Sequence, residues 1–164
     1  MSGSSFDKSC KIVIIGLGVI GGSYAMALTQ AGCNNVFGVD LSCESVEKAV
    51  QMGIISDGGV FAERFVKDAD IVVLAVYPCA ALQCVKDIAP HLKDGAVVTD
   101  VFGIKSGLIE EISSALPKCV SYVPAHPMAG REKRGIDYAS AQVFSGANFI
   151  ITPLENSQQY AVEI

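Results

Sequence analysis

The sequence has few charged residues and no excess of positive charge. Lys and Arg together number 12 against 17 Asp and Glu, so the formal net charge is −5. An acidic chain has no general attraction for phosphate backbones or anionic lipids, which argues against nucleic acids and membranes as partners. Charged residues make up only 18% of the chain and hydrophobic residues 51%. A disordered protein is therefore excluded.

Long apolar runs and metal-binding patterns are also missing. The apolar stretch 12–20 is interrupted by Gly16 and Gly18, and residues 1–11 lack the apolar segment of a signal peptide. We therefore expect neither a secretion signal nor a membrane span. The six cysteines form no C-x-x-C pair and only two histidines are present, so no metal site is expected. These features predict reduced cysteines and a cytoplasmic protein.

Short apolar runs alternate with helical patterns along the chain. Strands are predicted at 11–16, 36–40, 71–76, 96–100, 120–123 and 148–152, and helices at 19–31, 42–52, 80–89 and 106–116. Ser42 and Ser106 are predicted as helix N-caps, and Gly32 as a helix stop. Strands that alternate with helices of about ten residues are typical of βαβ units. The sequence predicts a Rossmann-type, doubly wound α/β fold, with a mostly parallel sheet and helices on both faces.

The length of 164 residues predicts one domain. We expect residues 1–9 to form a disordered tail and residues 10–153 to form a dinucleotide-binding domain. Residues 154–164 begin a helical pattern that has no stop signal. We expect this helix to lead to a C-terminal helical domain that is missing from the chain.

A glycine-rich motif follows the first predicted strand and opens the first predicted helix. It reads G-x-G-x-x-G over residues 16–21. In this motif Gly16 permits a tight turn, Gly18 lets the backbone approach a pyrophosphate, and Gly21 lets the helix pack on the strand. Asp40 ends the second strand, 19 residues after Gly21, where a carboxylate can accept hydrogen bonds from a ribose 2′-hydroxyl.

A structural role at these positions is the alternative. The glycines could serve only strand–helix packing, and Asp40 could be a solvated residue at a strand end. The strand, the helix and the acid occur together, which favours dinucleotide binding. Because no Arg or Lys directly follows Asp40, NAD is favoured over NADP.

The two histidines differ in their surroundings. His91 lies at a predicted helix end before a turn, and we expect it to be exposed. His126 comes just after the predicted strand 120–123, on the side where open α/β sheets bind ligands. A neutral imidazole can accept the hydroxyl proton when an alcohol is oxidised by hydride transfer. From its position alone, His126 fits a structural and a catalytic role equally.

Two charged segments have both a structural and a functional interpretation. Residues 131–134, which include Glu132 and Lys133, read as a solvated loop or as a binding loop for a carboxylated substrate. Lys105 and Ser106 follow another strand end, where they could position a substrate or cap the next helix. Capping is the favoured role of Ser106.

Several of these segments together resemble the prephenate dehydrogenase family, which includes arogenate dehydrogenases. The similarity runs from about residue 11 to residue 153. The segments that carry it are 13–23, 38–42, 69–76, 88–92, 99–101 with Lys105, 126–130 with Glu132, Lys133 and Gly135, and 146–153. The block His126-Pro-Met-Ala-Gly130 is the most restrictive, whereas the first three segments occur in many dehydrogenases.

The resemblance implies NAD(P)-dependent oxidative decarboxylation of prephenate to 4-hydroxyphenylpyruvate, in tyrosine biosynthesis. It implies that His126 is the catalytic histidine, hydrogen-bonded to the ring hydroxyl of the substrate. The residues implied for cofactor binding are Gly16, Leu17, Gly18, Val19, Ile20, Gly21, Asp40, Ala75, Val76 and Asp100. Those implied for substrate binding are Lys105, Glu132 and Lys133.

The sequence departs from the family in three respects. Gly103 stands where the family often has a serine, and Arg131 stands where it often has Ser or Thr. The chain also lacks the family's helical domain, which dimerises and supplies a substrate-binding arginine, so a homodimer is expected only where that domain is present. Two alternatives to a prephenate dehydrogenase are an isolated NAD-binding module without turnover and an arogenate dehydrogenase. A 3-hydroxyacid dehydrogenase is disfavoured, because such enzymes rely on a downstream lysine in a second domain.

Overall fold

A six-stranded parallel sheet forms the centre of the protein. The computed structural model describes residues 6–105, 107–130, 133–155 and 157–163. The strands of the sheet are β1 (Ile12–Ile15), β2 (Val36–Val39), β3 (Asp57–Gly59), β4 (Ile71–Leu74), β5 (Val97–Asp100) and β6 (Ser121–Val123). They are ordered β3-β2-β1-β4-β5-β6, and every neighbouring pair is parallel. The chain therefore reverses its direction of winding between β1 and β4, where such sheets bind ligands.

Helices cover both faces of this sheet. They are α1 (Val19–Gln30), α2 (Cys43–Gln51), α3 (Glu63–Val66), α4 (Pro78–Ile88), α5 (Leu108–Ala115) and α6 (Gln159–Glu163). Alternate residues of β1 enter two separate cores: Val13 packs with α4 and α5, and Ile14 packs with α1 and α2. All four residues of β1 are buried, as expected for a strand covered on both faces. The predicted doubly wound α/β fold is confirmed.

Two of the three predicted helix boundaries agree with the structure. The Ser42 hydroxyl accepts a hydrogen bond from the Ser45 N–H at 3.2 Å, which makes it the N-cap of α2. Gly32 follows α1 with a φ of +94°, a left-handed conformation that ends a helix. The start of α5 was predicted too early, since Gly107 is its N-cap; Ser106 lies outside the described residues.

Two strands and one helix were not predicted. β3 reads Asp-Gly-Gly and α3 has only four residues, so neither has a hydrophobic period long enough to detect. The strand β7 (Ala125–Pro127) pairs antiparallel with β8 (Phe149–Ile151), and the two form a small separate sheet. The predicted strand 148–152 therefore exists as β8 but does not join the main sheet.

Both ends of the described chain contact the domain. Residues 6–9 form a turn where a disordered tail was expected: Asp7 accepts the Ser9 N–H at 2.9 Å and its hydroxyl at 2.7 Å. Residues 1–5 lie outside the described residues. At the other end the helix begins at Gln159, and Ala161 packs on Val97 and Val123. Among the described residues, the structure contains no helix with the length and apolar character needed to cross a membrane.

Candidate functional site

Two glycines of the G-x-G-x-x-G motif are needed for the protein's own packing. Gly16 has a φ of +97°, and its N–H donates to the Val39 carbonyl at 2.7 Å. A Cβ at Gly16 would lie 2.5 Å from the carbonyl oxygen of Ala75, and a Cβ at Gly21 would overlap the carbonyl oxygen of Gly16. These contacts bring the ends of β1 and β4 against the start of α1.

Gly18 differs, because the protein leaves room for a side chain there. A Cβ at Gly18 would meet no atom within 4 Å, and its φ of −69° is open to any residue. Gly18 is the N-cap of α1 and has no side chain that could bond the free amides of the first turn. The result is an open space above a helix N-terminus, and such a space suits a phosphate group.

The side chains of Leu17 and Val19 point into the protein. Leu17 is fully buried and Val19 nearly so, while Ile20 is half-buried. Any contact of Leu17 or Val19 with a ligand would therefore use the backbone. Ala75 and Val76 are half-buried at the end of β4.

Asp40 holds the glycine-rich loop in place. One carboxylate oxygen accepts the Leu17 N–H at 2.6 Å, and the other accepts the Ser42 N–H at 2.9 Å. The carboxylate thus connects the end of β2 to the loop after β1. A ribose contact and a solvated strand end were the two roles predicted for Asp40, and neither includes this contact with the loop.

Three large apolar side chains are exposed along the same edge of the sheet. Leu41 is 94% exposed, Phe61 74% and Tyr77 66%, and they follow the ends of β2, β3 and β4. Exposed apolar side chains that cluster are more often part of a binding surface than single ones are. Leu41 and Tyr77 follow strands that the sequence predicts, whereas Phe61 follows the unpredicted β3. The exposure of these side chains was not readable from the sequence.

Asp100 lies inside the protein, so any contact of this predicted cofactor-binding residue with a cofactor would use its backbone. Its side chain is fully buried. Oδ1 accepts the Phe102 N–H at 2.8 Å and forms an ion pair with Lys105, and Oδ2 accepts the Tyr122 hydroxyl at 2.7 Å. Burial first, and then the hydrogen bond and charge of Asp100, raise the pKa of Tyr122. The carboxylate of Asp100 therefore stabilises the loop after β5 from within.

Lys105 also bonds mainly to the protein. Its Nζ pairs with Asp100 and donates to the Ala125 carbonyl at 2.8 Å, and its side chain is only 17% exposed. Substrate binding and helix capping were the two roles predicted for Lys105 and Ser106. The structure instead shows an ammonium group that joins the loop after β5 to β7.

His126 lies at the centre of β7, on the outer side of this loop. It pairs with Ile150 across the small sheet and is half-buried. Its ring contacts Gly103 closely, since a Cβ there would lie 3.1 Å from the ring carbon Cε1. Its Nδ1 is buried and has no hydrogen-bond partner among the described residues. His91 is exposed at the end of a short turn after α4, as expected.

The segment after His126 packs on the first helix. The Ser140 N–H donates to the hydroxyl of Ser23 at 2.9 Å, and a Cβ at Gly22 would lie 3.0 Å from the Cβ of Ala139. Sequence reasoning missed this role of Gly22 and Ser23, because the contact joins residues more than 100 positions apart.

The predicted substrate residues of this segment are only partly described. Glu132 and Arg131 lie outside the described residues. Lys133 is exposed, and its Nζ lies 4.5 Å from the centre of the Tyr138 ring. In the described part of the chain, no three His, Cys, Asp or Glu side chains cluster in a way that could bind a metal ion.

The chain is similar to prephenate dehydrogenases in sequence. The family model described as prephenate dehydrogenase, nucleotide-binding domain, matches residues 24–164. The prephenate dehydrogenase of Lactococcus lactis is 36% identical over 152 residues, which are 91% of this chain and 42% of that protein. The chain thus spans less than half the length of this relative.

Solved structures agree with this similarity. The prephenate dehydrogenase of A. aeolicus, solved with hydroxyphenyl propionate and NAD+, matches with a TM-score of 0.87 at 29% identity, over 97% of this chain and 56% of that one. The arogenate dehydrogenase of Synechocystis matches with a TM-score of 0.86 at 30% identity, over 93% of this chain and 53% of that one. The similarity therefore covers the whole fold described above.

Proposed function

This chain belongs to the prephenate dehydrogenase family, and from that premise we propose that it binds NAD and supplies a catalytic histidine. The proposed reaction is the oxidative decarboxylation of prephenate to 4-hydroxyphenylpyruvate, in tyrosine biosynthesis in the cytoplasm. Residues 10–153 form the dinucleotide-binding domain in this proposal. A homodimer is proposed only where the remaining, helical part of the family's proteins is present.

The open space at Gly18 is the observation that carries the proposal. Gly16 and Gly21 are required by contacts within the protein, but no protein atom requires a glycine at position 18. A pyrophosphate above the first turn of α1 would explain this glycine, because it needs close approach of the backbone. The amides of Val19 and Ile20 would then donate to it.

The edge of the sheet beyond Gly18 fits the adenosine half of NAD. The carboxylate of Asp40 has lone pairs left for a ribose hydroxyl after accepting its two backbone N–H groups. Its negative charge would repel the 2′-phosphate of NADP. The exposed side chains of Leu41 and Tyr77 provide an apolar surface next to the ribose position.

His126 would accept the hydroxyl proton of the substrate. NAD supplies the acceptor for the hydride that leaves the carbinol carbon. As the hydride departs, the imidazole takes the hydroxyl proton, and the ring becomes a ketone. The ring carboxylate is then vinylogous to a β-keto acid, so CO₂ leaves and the ring becomes aromatic.

The sheet brings the two halves of this site within reach of each other. β1, β4 and β5 are neighbours, so the glycine-rich loop and the Gly103–His126 contact lie two strand spacings apart, about 10 Å. Ala75 and Val76 lie between them at the end of β4 and would contact the cofactor. We propose that Lys133, and Glu132 beside it, contact the carboxylates and hydroxyl of the substrate.

Two alternative functions have support of their own. An NAD-binding module without turnover is supported by the open space above α1, which accounts for nucleotide binding without any role for His126. An arogenate dehydrogenase is supported by the similarity to the Synechocystis enzyme. Measuring NADH formation with prephenate and with arogenate distinguishes all three functions.

The Gly18→Val variant tests nucleotide binding. We expect it to weaken NAD binding at least tenfold, which corresponds to about 1.4 kcal/mol, and to leave the far-UV circular dichroism spectrum unchanged. Titration calorimetry with NAD and NADP gives both affinities, and NAD should bind the unaltered chain more tightly.

Gly21→Ala is the matched comparison. Its Cβ would overlap the carbonyl oxygen of Gly16, so this variant should lose far more thermal stability than Gly18→Val, whose Cβ meets no protein atom. Undiminished NAD binding by Gly18→Val would show that the space above α1 does not hold the pyrophosphate.

A further inference from the structure

A buried polar network lies behind the loop that contacts His126. Asp100 at the end of β5 is its centre, and all three donors described above converge on it: the Phe102 N–H, Lys105 and the Tyr122 hydroxyl. Because Asp100 is fully buried, its carboxylate oxygens depend on these partners for their hydrogen bonds. Tyr122 reaches Asp100 from the neighbouring strand β6, where it is paired with Val98 of β5.

The network reaches His126 by two routes. The first is through the backbone, because Lys105 donates to the carbonyl of Ala125, the residue before His126, at 2.8 Å. The second is through the ring, which lies against Gly103 in the loop held by Asp100. The imidazole has no side-chain partner at Nδ1 among the described residues, so these two contacts define its position from the side of β5.

We propose that Tyr122, Asp100 and Lys105 are positioning residues for His126. This inference rests on the proposed function for its catalytic meaning. Tyr122 is the outermost member: its hydroxyl is the donor to Oδ2 of Asp100, and it fixes the orientation of that carboxylate. The carboxylate in turn holds Lys105 and the loop, and Lys105 holds the strand that carries His126.

Among the described residues, the Tyr122 hydroxyl forms no hydrogen bond other than the one to Asp100. Its ring is buried in the core with Val98 and Phe102, and a phenylalanine would fill the same space. Removing the hydroxyl leaves Oδ2 of Asp100 buried without its donor, and a carboxylate in that situation reorients toward its remaining partners. The ammonium group of Lys105 and the loop at Gly103 would move with it.

The test is the imidazole spectrum of the chain, recorded by long-range ¹H–¹⁵N NMR. The chain has only two histidines, so the exposed His91 is an internal reference in every spectrum. Tyr122→Phe keeps the aromatic ring and is expected to shift the His126 resonances while those of His91 stay in place. A purely structural role of Tyr122 would lower the melting temperature without moving His126.

Tyr160→Phe is the matched control. It also removes one tyrosine hydroxyl, which donates to the Gly95 carbonyl at 3.0 Å near the opposite end of β5. It should leave the His126 resonances unchanged. Unchanged His126 resonances in Tyr122→Phe, or an equal shift in Tyr160→Phe, would overturn the proposal.

Two further measurements keep this test independent. If Tyr122→Phe does not fold, Lys105→Arg is the second variant to test. It retains the charge beside Asp100 but cannot reproduce the two hydrogen bonds of the ammonium group. It should shift the His126 resonances and leave those of His91 in place. A lack of shift there would equally overturn the proposal.

Calorimetry on the unaltered chain reports NAD binding separately, so failure to bind NAD counts against the proposed function and leaves the His126 result intact. In a form that oxidises prephenate, Tyr122→Phe should lower kcat about tenfold to a hundredfold and leave the KM for NAD unchanged.

Discussion

At the scale of single residues, His126 is expected to affect turnover far more than nucleotide binding. It lies about 10 Å along the sheet edge from the glycine-rich loop and has no contact with that loop among those described. In a form of the protein that oxidises prephenate, His126→Asn should lower kcat by about 10²–10⁴-fold, the usual contribution of a general base. Asparagine can keep one hydrogen bond but cannot accept a proton.

Steady-state kinetics and calorimetry together check this prediction. The dissociation constant for NAD should remain that of the unaltered protein, and kcat should change more than KM. His91→Asn, at the exposed histidine, serves as the control and should have no effect on either constant. A His126→Asn variant with full kcat would return His126 to a structural role.

The residues of the site differ in how far the sequence could define them. Gly16, Gly21 and Asp40 lie on the strand–loop–helix unit that the fixed spacing of the motif predicts, and their contact with a nucleotide stays a prediction. The motif could not show that Asp40 also binds the Leu17 amide, since that hydrogen bond depends on the path of the loop in three dimensions. For Asp100, the family resemblance implied a cofactor contact, but the partner that its buried carboxylate bonds is Tyr122, 22 residues further along the chain.

At the scale of elements, helix α4 carries a thiol that makes the fold sensitive to alkali. Burial, and then the charge of Asp87, raise the pKa of Cys84 from 9.0 to about 11. Above pH 9 the unfolded chain releases a proton that the folded protein retains. The free energy of unfolding should therefore fall between pH 9 and pH 11, by about 2 kcal/mol for this one group.

Urea unfolding under reducing conditions at pH 8, 9, 10 and 11 measures this loss. Cys84→Ala should show a shallower decline over this interval than the unaltered chain. Cys79→Ala, which removes an exposed thiol at the start of the same helix, is the matched control. Parallel declines in Cys84→Ala and Cys79→Ala would contradict the assignment to Cys84.

The elements that the sequence predicted well are those with their own local signal. The runs that became β1 and β4 are continuous apolar segments, and α2 begins at a serine that caps it. β7 has no such signal, because its three residues Ala125–Pro127 include a proline and proline cannot donate in a sheet. It becomes a strand only because β8, more than 20 residues later, lies beside it.

At the scale of the whole molecule, the protein has two hydrogen-bonded sheets that differ in the number of strands and in burial. The main sheet has six strands with helices on both faces, and its central strands β1 and β4 are buried along their whole length. The small sheet has two strands of three residues, and Phe149, Ile150 and Ile151 of β8 are each 45% exposed. Two short strands with this exposure are marginally stable by themselves.

We expect the small sheet to open before the main sheet does. The Met128 N–H, which donates to the Asn148 carbonyl at 2.8 Å, and the amides of β7 and β8 should exchange with deuterium faster than those of β1 and β4. Hydrogen exchange followed by NMR measures each amide separately. Exchange of both sheets at the same rate would mean that they unfold as one unit.

The alternation of strands and helices predicted a mostly parallel sheet, but it did not predict the order of the six strands, which includes the unpredicted β3 at one edge. The separation into two sheets was not implied. It depends on how residues 125–127 and 149–151 meet, and no local pattern in either segment shows which sheet it joins.

The division into two sheets also means that the histidine and the glycine-rich loop can lose their structure separately. The glycine-rich loop belongs to the large sheet and the histidine to the small one. If the proposed function holds, a warmed molecule would lose its proposed proton acceptor, His126, while it still retains its nucleotide. Such a molecule would sequester cofactor without turning it over, so a measurement of bound nucleotide would overstate the amount of working enzyme in an ageing sample.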